Sequence, residues 1–145
     1  MSPDSRDGTR ELFLRAWRKY RAKEELEGVE RLIVAIELRH PEYHVMLDNP
    51  ESVARDFSPD AGESNPFLHM GMHIAIEESV TTNRPAGIAD LYRSIVRAAG
   101  DEHEAQHRIM ECLGETLWEA GRSGVAPDEA RYMECLRRLV HTKFG

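Results

Sequence analysis

Apolar residues recur every three to four positions along most of the chain, the period of a helix that buries one face, and the strict alternation of a strand is nearly absent. A first helix is predicted over 6–23, with Leu12, Phe13, Ala16, Trp17 and Tyr20 on one side. A second is predicted over 25–40, carrying Leu26, Val29, Ile33 and Ile36 on one stripe. Pro41 stops or kinks it, yet proline also suits the first turn of a new helix, so 41–47 is read as continuing at a changed angle. The stretch 48–64 is rich in turn signals, with Asn49-Pro50, Ser58-Pro59 and Gly62, and reads mostly as a long connection. Asn65 followed by Pro66 opens a third helix to about residue 80: a side-chain acceptor at the cap, then a residue with no amide to satisfy. Further helices are predicted over 87–99, 101–120 and 127–141, separated by "GD" at Gly100 and the loop "GRSGVAP". The expectation is an all-α fold, a helical bundle of five to six helices, in one domain spanning 1–145.

The third predicted helix raises a question. It contains "NPFLHMGMHIAIEE", in which His69, His73 and Glu77 recur every fourth residue. Six of the seven histidines form such pairs: His40 with His44, His69 with His73, and His103 with His107. The last pair also continues to a glutamate, Glu111, while the first is preceded by Glu37. Positions i, i+4 and i+8 span only about 80° of a helix, so each ladder occupies one side. With His69, His73 and Glu77 fall Met72, Ile76 and Val80; with His103, His107 and Glu111 fall Met110, Gly114, Leu117 and Trp118. Both ladders are thus expected on apolar faces, giving a core lined by His and Glu.

Buried imidazoles and carboxylates need partners, because an unpaired buried charge costs several kcal/mol. A metal ion satisfies many at once, and cores of facing helices are a known setting for one. The expected ligands are His40, His44, His69, His73, Glu77, His103, His107 and Glu111, with Glu37, Tyr43 and Asp101 as further ligands or as groups orienting the imidazoles. Six imidazoles and two bridging carboxylates make a di-metal centre, di-iron or di-manganese. In coordination alone this resembles the His-rich di-iron centre of hemerythrins, and Glu37-Leu-Arg-His40 resembles half of a ferritin-like motif; chain order and spacing are not theirs. Iron is favoured, with manganese or zinc as alternatives. Such a centre suits oxygen, peroxide or redox chemistry, and an enzyme built on it would be a metal-dependent oxidoreductase. The alternatives are a zinc-dependent hydrolase-like site and a non-enzymatic helical module with a buried His/Glu hydrogen-bond network. No phosphate-binding glycine loop or nucleophile elbow competes.

Composition narrows the partners. The 145 residues are 41% hydrophobic and 31% charged, with a net charge of −7. That balance argues against nucleic-acid binding, and the basic runs "RAWRKYRAK" and "RRLVHTK" read as solvated faces. No apolar run approaches a membrane span and the N-terminus lacks the regions of a signal peptide, so a cytoplasmic location is expected. A homo-oligomer is compatible with the sequence but not indicated by it. Cys112 and Cys135 sit within helical patterns outside any Cys-x-x-Cys arrangement and are expected to be packed thiols rather than a disulfide or zinc ligands.

Three segments, "HPEYHVMLDNPE", "GESNPFLHMGMHIAIEE" and "GDEHEAQHRIMECLGETLWEAGRSG", resemble a family of small bacterial proteins catalogued as domain of unknown function 1841, over about 10–138. The resemblance implies a bacterial cytosolic origin and no particular activity, and it includes the same His/Glu ladders.

Overall fold

Helix boundaries follow local capping chemistry. In the computed structural model, which describes residues 6–55, 57 and 65–141, no strand occurs among the described residues. The helices are α1 (Arg6–Arg21), α2 (Val29–Leu38), α3 (His44–Leu47), α4 (Pro66–Thr82), α5 (Ile88–Ala99), α6 (Glu102–Ser123) and α7 (Glu129–Val140), with 3-10 turns at Pro41–Tyr43 and Pro50–Ala54. Asn65 accepts from the amides of Phe67 at 3.0 Å and Leu68 at 3.2 Å, so α4 opens at the predicted cap. Asp101 and Asp128 cap α6 and α7 by accepting from Glu104 N at 2.8 Å and Arg131 N at 3.1 Å. Gly100, at φ 77°, ends α5 in the left-handed region that a side chain disfavours.

Among the described residues seven helices stand where five to six were expected. The difference lies at Pro41. His40 leaves the helical region at φ −125°, ψ 67°, and a 3-10 turn separates α2 from the single turn of α3. Proline has no amide to continue the ladder and disfavours helical backbone in the residue before it. The second helix also starts later than expected, at Val29, because Gly28 takes a positive φ of 55°. The turn signals Ser58-Pro59 and Gly62 lie outside the described residues. Among those residues, no helix is long and apolar enough to cross a membrane.

The chain divides into two compact units at Ile74/Ala75, a boundary inside α4. In the first, α1 packs on α2 and buries Phe13, Ala16 and Trp17 against Ile33, Val34, Ile36 and Leu47. Burying Trp17 or Phe13 contributes about 2–3 kcal/mol each. Trp17 Nε1 also donates to Asp48 Oδ1 at 2.8 Å, which holds the segment after α3 against α1. Buried Arg10 donates to the carbonyls of Val53 and Arg55 at 3.0 and 2.6 Å, and its guanidinium lies over Phe57 and Phe67. In the second unit α5, α6 and α7 pack pairwise. Their buried residues include Ile88, Tyr92 and Ile95 from α5, Ala105, Ile109 and Cys112 from α6, and Tyr132, Met133 and Leu136 from α7.

The cysteines correct another expectation. Cys112 and Cys135 form a disulfide joining α6 to α7, with Cα atoms 5.8 Å apart. Their sequence separation of 23 hid the pairing, since only the packing of the two helices brings one face of each together.

Candidate metal centre

The first unit gathers three imidazoles. His40 is fixed by the turn at Pro41, while His69 and His73 lie one turn apart on α4. Their ring centroids are 5.0 Å apart for His40 and His69, 4.9 Å for His40 and His73, and 4.9 Å for His69 and His73. His40 and His73 are fully buried and His69 partly so. His40 Nδ1 lies 2.8 Å from the Ile36 carbonyl. A carbonyl only accepts, so Nδ1 carries the proton and Nε2 the lone pair that a metal requires. A backbone partner of this kind commonly orients an imidazole ligand.

Tyr43 stacks on His40, with centroids 5.2 Å apart and planes within 3°, and meets His69 edge-on at 6.3 Å. Burial, and then the charge of Glu42, push its phenol above the ordinary tyrosine value. His44 takes a different course. Its ring lies 4.4 Å from Trp17 and its Nε2–H donates to the Glu37 carbonyl at 2.8 Å. The break at Pro41 thus turns the two members of the His40/His44 pair into different surroundings.

Glu37 is fully buried, and neither carboxylate oxygen has a hydrogen-bond partner among the described residues. Burial pushes its carboxyl up to about 8.

In the second unit His103 and His107 stand one turn apart on α6, half-buried, with centroids 4.2 Å apart. Glu77 is tied into a polar chain: Gln106 Nε2 donates to Glu77 Oε1 at 2.7 Å and to the Tyr92 hydroxyl at 2.9 Å, and Tyr92 donates to Glu102 Oε1 at 2.9 Å. Burial raises the Tyr92 phenol above its ordinary value, against the opposing hydrogen bond from Gln106. Gln106 is fully buried and was missed in the sequence, where attention went to ionisable residues. The available signal was a polar residue beside the apolar stripe of Ala105, Ile109 and Cys112.

Glu111 is exposed and pairs with Arg108 at 3.3 Å, so the third rung on α6 does not share a core face. Leu117 and Trp118, placed on that face in the sequence, are 47% and 62% exposed. The reason is angular: the buried arc of α6 runs through Ala105, Gln106, Ile109, Met110 and Cys112, His103 lies just past its edge, and each i+4 step of about 40° carries the next rung further from it, leaving Glu111 on the opposite side. Asp101 is the exposed cap of α6.

Each unit thus offers candidate metal ligands of its own: His40, His69 and His73 in the first, His103 and His107 in the second. An all-imidazole set suits zinc, iron, copper or nickel.

No curated protein and no solved structure matches the chain. The family model for a domain of unknown function (DUF1841) matches residues 5–138, and the chain belongs to that family.

Proposed function

We propose that the protein binds a transition metal through its clustered histidines, foremost His40, His69 and His73, and uses it in redox, oxygen or peroxide chemistry. The observation that carries this reading is the mutual approach of the His40, His69 and His73 rings, with centroids 4.9 to 5.0 Å apart. In a di-metal form a carboxylate such as Glu37 would extend the set, and iron or manganese is the preferred ion. The chain's own residues would bind and orient: the Ile36 carbonyl fixes the His40 tautomer and Tyr43 packs its ring. An enzyme of this kind would be a metal-dependent oxidoreductase.

A second reading has its own support. The chain Glu77–Gln106–Tyr92–Glu102 is a connected polar network, and such networks specify a fold without any metal.

Elemental analysis with a visible absorption spectrum, on wild type and a His73→Ala, His107→Ala variant, separates these readings. One or two iron or manganese ions per chain, lost in the variant, is the expected result, and the count distinguishes the mononuclear from the di-metal form. One colourless zinc would shift the chemistry to hydrolysis. No metal after anaerobic reconstitution, with stability unchanged by chelator, would leave the polar network as the role of these residues.

A further inference from the structure

The Cys112–Cys135 bond lies in the wall of a groove of about 490 Å³ formed by α6 and α7. The two sulfurs are not equivalent: Cys112 is 2% exposed, whereas Cys135 is only half-buried. A disulfide that serves only as a cross-link gains from having both sulfurs sheltered, and here one half is approachable. Arg131 and Arg138 stand four before and three after Cys135 on α7, the spacing of one helix face, and both line the groove. Positive charge beside a cysteine favours its thiolate, the form released or used in exchange. Glu115 and Glu119 of α6, together with Asp128 and Glu134 at the start of and along α7, also line the groove, so acids outnumber bases along it. Burial of Tyr132, Met133 and Leu136 holds α7 in the unit independently of the bond, which allows the bond to open without loss of the helix.

From these observations we propose that Cys112–Cys135 is a reversible thiol–disulfide exchange site for a dithiol reductant, with Cys135 Sγ as the atom attacked. A thiolate of the reductant attacks Cys135 Sγ. The sulfur–sulfur bond breaks, its electron pair leaves on Cys112 Sγ, and that sulfur takes a proton. The second thiolate of the reductant then attacks its own sulfur in the mixed disulfide and releases Cys135, which takes the second proton. Two electrons and two protons enter the protein and the dithiol leaves as a disulfide. The acidic lining selects against anionic thiols such as glutathione and favours a dithiol without net negative charge. The proposal does not depend on the metal reading.

The test is the rate of reduction of the folded, full-length protein by dithiothreitol, followed by alkylation and mass spectrometry. The expected result is reduction within about tenfold of the rate in denaturant, with glutathione at equal thiol concentration at least tenfold slower. The bond should re-form with oxidised dithiothreitol. A Cys112→Ser variant should take a mixed-disulfide adduct at Cys135 while folded, and a Cys135→Ser variant should not take one at Cys112. Reduction a thousandfold slower than in denaturant, keeping pace only with unfolding, would overturn the proposal and leave a structural cross-link; so would failure of the reduced protein to re-form the bond. The wild-type rates decide the matter even where a serine variant fails to fold.

Discussion

Glu37 poses the sharpest energetic problem at the scale of single residues. Its carboxyl is buried with no hydrogen bond among the described residues, and its pKa stands at about 8 against an ordinary 4.5. Because the folded value is the higher one, the group's contribution to stability is fully present below pH 4.5 and is lost as pH rises through 8. In metal-free protein the loss accumulated by pH 7 is about 3 kcal/mol. Urea unfolding of chelator-treated protein should therefore show stability falling from pH 5 to pH 8, and Glu37→Gln should flatten that fall. An unchanged slope in the variant would place the dependence elsewhere. In the sequence Glu37 was legible as part of Glu-Leu-Arg-His40, but its complete burial depends on tertiary packing, which no local pattern reveals.

At the scale of helices, caps were legible and faces only partly so. The acceptor side chain of Asn65 occupies the predicted cap position, and that of Asp101 caps the helix predicted to start there, because capping needs only residues within one turn. Asp101→Ala should lower stability by about 1 kcal/mol through the lost bond to Glu104 N. Metal content should stay unchanged, and thermal unfolding alongside elemental analysis measures both. A loss of metal would instead make Asp101 part of the centre. Ladders spaced by four drift across a helix, and how far a rung may drift depends on the width of the buried face. On α4 the third rung, Glu77, is still partly covered and meets Gln106; on α6 the third rung, Glu111, reaches solvent and meets Arg108. The two ladders look equivalent as strings, and packing makes them different.

At the scale of the whole chain, the disulfide is a covalent constraint joining α6 to α7 in the second unit. Closing a loop with a separation of 23 residues restricts the unfolded chain and contributes about 3 kcal/mol. A Cys112→Ser, Cys135→Ser variant should lose about that much in denaturant unfolding and keep its helical circular dichroism, since Tyr132, Met133 and Leu136 remain buried on α7. A collapse of helix content would mean that the bond is needed to dock α7 at all.

The sequence by itself determined the all-helical class, most helix boundaries and the histidines worth attention, because these depend on period, capping and residue chemistry within a few turns. Tertiary structure decided which imidazoles approach one another. It turned His44 onto Trp17 and placed His40 beside His69 and His73. It drew Gln106 into a polar chain with Glu77 and joined Cys112 to Cys135. Each of these depends on the rotation of one helix against another, which is set by the summed packing of many side chains and leaves no mark in any single stretch of the chain.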